Sequence, residues 1–154
     1  KIGDNEVTLK DLLKSREFMV INLSQNQNNN TTNTFKVAFN NIVISNGNKL
    51  SFYNNGIKIG PGVSKIRVDL TLWLEQESNS YAAFYIYKNG NMLTYNLTQN
   101  MSIVWSTGNA FAYANVSEGD VIYAYVRFSD ADSTYNKVAG AYQSSCNLGV
   151  QVIE

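Results

Sequence analysis

Between Ser64 and Glu75 the chain alternates strictly, with Ile66, Val68, Leu70, Leu72 and Leu74 apolar and most of the residues between them polar. Successive side chains of a β-strand point to opposite faces, so this segment suits a strand with one buried face, and Trp73 then lies on the other. A helix would scatter the same five residues around its circumference.

Shorter segments repeat the pattern. Phe35, Val37 and Phe39 share a face, Asn46-Gly47-Asn48 turns into Leu50–Tyr53, and Asn55-Gly56 turns into Ile57-Lys58-Ile59. Tyr81–Lys88 runs into the hairpin signal Asn89-Gly90 and returns as Met92–Tyr95. Ser102–Trp105, Ala110–Val116, Val121–Phe128 and Cys146–Ile153 are further strands, with a turn at Ser117-Glu118-Gly119-Asp120. Eight to ten short antiparallel strands predict an all-β sandwich or barrel. The 22 asparagines and 10 tyrosines fit this, since Asn favours turns and Tyr favours half-buried strands.

Three regions follow. Residues 1–23 form a neck or linker, because Val7–Phe18 alone shows helical spacing, with Leu9, Leu12 and Leu13 on one face. Residues 24–34 form an Asn-rich polar loop with no apolar residue to anchor it, expected to be mobile and on the surface. Residues 35–154 form the folded head.

Twelve basic and twelve acidic side chains cancel, which gives no overall attraction to nucleic acid. The absence of histidine removes the usual general base and the commonest metal ligand. The single cysteine, Cys146, sits among alternating apolar residues and is expected to be a buried hydrophobe. No run approaches the roughly 18 apolar residues of a membrane span, so no membrane insertion is expected. No enzyme activity, cofactor or metal is expected. Asp130 and Asp132 could hold calcium in a loop or be merely solvated there. Glu75 and Glu77 could form a glycosidase pair or a polar strand edge.

The strand order resembles the C1q/TNF-like jelly roll, particularly the version in phage tail and bacterial surface proteins. The resemblance covers roughly residues 35–153. It rests on Phe35–Ile42 as opening strand, Gly62–Leu70, the hairpin Ile86-Tyr87-Lys88-Asn89-Gly90, the element Val116-Ser117-Glu118-Gly119-Asp120-Val121-Ile122, and Leu148-Gly149-Val150 near the end. Ser64 and Ile66 depart from the family's usual glycine and aromatic. The resemblance implies an antiparallel two-sheet sandwich and a homotrimer. If Val116 faces the core, as the corresponding family residue does, then Phe111 and Tyr113 point outward, as do Trp73 and Ile153. These four are the expected trimer interface, the alternative being that loops cover them.

The resemblance further implies a host-surface recognition head on a phage tail tip or baseplate, outside the cell, which binds a surface saccharide or teichoic acid. Its N-terminal segment would join it to other tail proteins. The alternative is a structural or protein-docking component of a baseplate or bacterial surface. Aromatic rings stack on sugar rings and amides or carboxylates bond hydroxyls, so the expected ligand-contacting residues lie in connections: Tyr95 and Trp105 around a middle loop, and Asp130, Asp132, Tyr135 and Tyr142 in the loop 129–145.

Overall fold

A computed structural model describes residues 16–76, 80–99, 104–130, 136–140 and 146–154. Among these residues the chain forms strands β1 (Phe18–Asn22), β2 (Gln27–Asn28), β3 (Phe35–Lys36), β4 (Asn41–Asn46), β5 (Leu50–Tyr53), β6 (Gly56–Ile59) and β7 (Lys65–Gln76). It continues with β8 (Tyr81–Lys88), β9 (Asn91–Gln99), β10 (Val104–Asn115), β11 (Val121–Phe128), β12 (Lys137–Val138) and β13 (Asn147–Val152).

Two antiparallel sheets face each other. The first runs β2-β12-β7-β13-β1-β4, with β10 paired to the other edge of β7; the second runs β5-β6-β11-β8-β9, with β3 beside β11. The alternating segment is β7, and its five apolar residues are at most 1% exposed. Burial of such side chains is worth roughly 1.5–3 kcal/mol each. From the opposite sheet Phe84, Ile86, Ile122, Val126 and Phe128 complete the core, all fully buried. Opposite Leu72, Gly108 leaves room for the Phe84 ring, whose Cε1 would lie 2.5 Å from an added Cβ.

The strand Phe18–Asn22 corrects the assignment of residues 1–23 to a neck. It lies inside the first sheet, between β13 and β4, and buries Met19 and Ile21. The expected helical face at Leu9, Leu12 and Leu13 lies outside the described residues. The polar tract is also more ordered than a free loop. Gln27 donates from Nε2 to the Lys36 carbonyl (2.9 Å) and accepts from the Ala38 N–H (2.9 Å), while the Asn29 N–H donates to the Asn136 carbonyl and its side chain is buried. Amide side chains here do what apolar anchors do elsewhere.

One turn lies a residue earlier than the sequence suggests. Asn54 and Asn55, at φ 47° and 63°, form the turn, and Gly56 opens β6. Gly56 is needed there because an added Cβ would lie 2.5 Å from the Ile122 carbonyl oxygen and 2.6 Å from Cδ1 of the Tyr123 ring.

The turns Asn89-Gly90 and Gly119-Asp120 interlock. Asn89 Nδ2 donates to Asp120 Oδ1 (2.8 Å), the Val121 N–H donates to Asn89 Oδ1 (2.9 Å), and the Ser117 N–H donates to Asp120 Oδ2 (3.0 Å). Lys88 Nζ lies 3.6 Å from Asp120 Oδ2. Burial opposes ionisation of Asp120, but the Ser117 N–H, the Asn89 amide and Lys88 outweigh it and hold the carboxyl below its ordinary 3.8. Asp120→Ala should therefore cost roughly 1–3 kcal/mol in urea unfolding at neutral pH. A depressed folded pKa stabilises above the unfolded value and loses that contribution as pH falls. The wild type should thus lose more stability than the variant between about pH 5 and pH 3, and parallel profiles would refute this role.

Candidate functional site: two outward faces

The twelve-residue register between β7 and β10 sets which side chains leave the sandwich. Ala112 and Ala114 oppose Val68 and Ile66 inside, so Phe111 and Tyr113 oppose Asp69 and Arg67 outside. Phe111 is 62% exposed and Tyr113 60%. Their rings meet edge to face at 6.4 Å, and the Arg67 guanidinium lies 6.0 Å and 5.9 Å from their centroids. Trp73, half-buried, and Trp105 lie farther along the same face, 5.2 Å apart. Ile153 follows the end of β13 and is exposed. Across the sheet the row through Phe111 continues as Asp69, Gly149, Val20 and the exposed Ile44.

Cations within the strands of this face are paired. Arg67 makes a double hydrogen bond to Asp69, both contacts at 2.9 Å; Lys137 meets Glu75 at 2.9 Å and Lys65 meets Glu154 at 3.3 Å. The strand rows of this face are consequently aromatic and locally neutral, while Arg16 and Lys49, beside Arg67 and Tyr113 at one end, form no ion pair among the described residues.

The second sheet presents a different face. Phe84, Ile86, Ile122, Ala124 and Val126 point inward, so Tyr85 and Tyr87 of β8 and Tyr123 and Tyr125 of β11 point outward. Tyr87 pairs with Tyr123, and Tyr85 pairs with Tyr125 on one side and Tyr95 on the other. Ring centroids are 4.8 Å apart for Tyr87 and Tyr125, 6.2 Å for Tyr85 and Tyr87, and 6.1 Å for Tyr85 and Tyr95. Tyr81, Tyr85 and Tyr95, with Ala83, Met92, Leu97 and Arg127, line a shallow depression of about 330 Å³. Tyr53 joins from β5. Seven of the eight described tyrosines therefore share this face.

Cations border these rings. Lys36 Nζ sits 3.8 Å from the Tyr123 centroid and Lys58 Nζ 5.2 Å from that of Tyr53, within the range of cation–π attraction. Arg127 Nε donates to the Thr32 carbonyl at 3.0 Å. Burial pushes the Tyr85 phenol upward, partly offset by Arg127, and burial beside Tyr53 and Tyr125 does the same to Tyr123. Burial lowers Lys36.

The expected ligand residues are scattered by this arrangement. Tyr95 is 57% exposed but lies within β9, not in a connection. Trp105 lies in β10 on the opposite outward face, against Trp73. Asp130 follows β11, where its carbonyl and carboxylate accept from the Asn136 amide. Asp132, Tyr135 and Tyr142 lie outside the described residues. Tyr85, Tyr87, Tyr123 and Tyr125 were not singled out in the sequence, although their parity, opposite to Phe84, Ile86, Ile122 and Ala124, marks them as outward.

Cys146 is 1% exposed, with Sγ 3.1 Å from the Trp73 nitrogen. Burial pushes its thiol up from 9.0 to about 11, against the pull of backbone groups of Trp73 and Ala139. At pH 8 its thiolate should be roughly a hundredfold scarcer than in the unfolded chain, and a thiol-specific disulfide reagent should react correspondingly more slowly before denaturation than after. A raised folded pKa stabilises fully below the unfolded value. About 3 kcal/mol should be lost as pH rises from about 9 through 11, and equal thiol reactivity in both states would refute this.

No family model matches the chain, and no curated protein matches it. Solved structures do match in shape. A crystal structure of murine APRIL at pH 5.0 superposes with a TM-score of 0.71 at 8% identity, covering 90% of this chain and 100% of that one. Two further crystal structures of murine APRIL, at pH 8.0 and pH 8.5, give TM-scores of 0.68 and 0.66 at 8% and 9% identity with the same coverage. The fold is a TNF-like jelly roll, and the likeness is one of fold.

Proposed function

We propose that the chain is a homotrimeric, non-enzymatic recognition head that sits on the tail tip or baseplate of a phage and binds saccharide on the host surface. The observation that carries this reading is the pair of aromatic outward faces on one small sandwich. A sheet that exposes Phe111 and Tyr113 at about three-fifths each, beside Trp73, Trp105 and Ile153, is an unusually apolar exterior for a lone chain. A threefold assembly would cover it, and the paired charges of that face suit contact between identical copies. The second face, rich in tyrosine, would remain outward for saccharide. Three copies would raise a weak single-site affinity through avidity. Assignment to a phage tail rests on the resemblance of the hairpin and turn motifs, and attachment to other tail proteins is assigned to the N-terminal segment.

A second reading, a docking component of a baseplate or bacterial surface, is favoured by β4. This strand ends the first sheet and exposes Ile42, Val43 and Ile44 in succession, a surface able to pair with another protein.

In sedimentation equilibrium at micromolar concentration the chain should run at three times its 17.2 kDa mass. Phe111→Asp combined with Tyr113→Asp should yield monomers, because burying unpaired carboxylates outweighs any remaining contact. A monomeric wild type would overturn the assembly. Purified host cell-wall polymer should compete with adsorption of the trimer to cells; capture by a tail protein without any adsorption would favour the docking reading.

A further inference from the structure

We propose that the tyrosine face of the second sheet binds an anionic glycan, a chain of sugar or polyol units that carries phosphate or carboxylate groups. The inference rests on the reading of the protein as a saccharide-binding head, and it adds the place of the site and the residues that select a charged ligand over a neutral one. Tyr85, Tyr87, Tyr95 and Tyr125 would hold the C–H faces of successive units, and Lys36, Lys58 and Arg127 would hold the anions.

Charge carries the argument. None of the six strands of the second sheet contains Asp or Glu, whereas they contain Lys36, Lys58, Lys88 and Arg127. Lys88 is turned to Asp120 at the end of the sheet. The other three form no ion pair among the described residues, and Lys36 and Lys58 are held over tyrosine rings, which leaves their charge unneutralised. The first sheet is the internal control, since Lys65, Arg67 and Lys137 on its outward side each have a carboxylate partner. Of the five described cations without an ion pair, three (Lys36, Lys58 and Arg127) thus lie on the strands of the tyrosine face, while Arg16 and Lys49 lie outside the strands, beside Arg67 and Tyr113.

The shape of the face points to a glycan. Neighbouring rings are tilted by 33° to 70° and packed on one another, so they offer short apolar facets and phenol hydroxyls to successive units, not open parallel platforms for stacked bases. Rings with hydroxyls suit the mixed apolar and polar surface of a sugar. A neutral glycan would need no excess of cations, and an anionic one gains from all three.

The test is calorimetric titration of the full chain with poly(glycerol phosphate), polygalacturonate, neutral dextran and a single-stranded oligonucleotide, each at low and high salt. Poly(glycerol phosphate) or polygalacturonate should bind, and the stronger of the two identifies the anion. Dextran should bind at least roughly tenfold more weakly, and affinity for the charged polymer should fall as salt rises. The triple variant Lys36→Gln, Lys58→Gln, Arg127→Gln should lose at least roughly tenfold in affinity for the charged polymer with little change towards dextran. Tyr85→Ala and Tyr95→Ala should weaken both. The salt dependence of the wild type needs no variant, so a triple variant that fails to fold leaves the proposal exposed to refutation. Salt-independent binding, an unaffected triple variant, or tighter binding of the oligonucleotide would overturn it. If a saccharide binds the wild type and the triple variant equally, the site assignment falls and the recognition head stands. If no saccharide binds and cells do not adsorb the protein, the recognition head itself falls.

Discussion

The structure depends on the pairing of β7 with β10 over twelve residues while the inward side of β7 stays apolar from Ile66 to Leu74. A shift of that register by one residue would turn Ala112 and Ala114 outward and drive Phe111 and Tyr113 into a core already filled by Phe84 and Phe128. Exposure of these aromatics is therefore a consequence of core packing. Small residues on the inward side of β10, including Gly108 beneath the Phe84 ring, allow the sheets to close, and the large residues of the same strand must then go outside.

Two aromatic exteriors arise in this way, and they differ in how charge is handled. On the first, each Lys or Arg within the strands finds a carboxylate, so the strand rows of two such surfaces can meet without leaving a buried charge unpaired. On the second, cations lie over tyrosine rings in a sheet free of carboxylates, which a partner carrying negative charge would complete. A net charge of zero conceals this division.

Local pattern made much of the fold legible. The alternation of β7, the hairpin at Asn89, the turn before Val121 and the inward parity of Leu148 and Val150 depend on neighbours in sequence, and they reappear in the structure. Phe18–Asn22 was not legible as a strand, because its partners are the last strand and β4, and long-range pairing leaves no local mark on five residues without alternation. Trp105 reads in sequence as the end of a strand beside a middle loop, whereas β10 continues through Ser106, Thr107 and Gly108, and the Phe84 ring over Gly108 accounts for that glycine. The tyrosine face was visible in principle. It required comparing the parity of β8 with that of β11, and only the pairing of Tyr87 with Tyr123 and Tyr85 with Tyr125 brings the two runs together.

The placement of β1 also has a mechanical consequence. It runs antiparallel to both neighbours, with Phe18 opposite Gln151 and Asn22 opposite Asn147, so the beginning of β1 and the end of β13 lie at the same pole. A force that pulls those two ends apart acts across the ladder and breaks its bonds one at a time, like a zipper. A force on β1 along its own axis, with the body of the sandwich held, loads the rows shared with β13 and β4 together, and the strand resists in shear. The same few bonds are thus weak or strong according to where the load is attached.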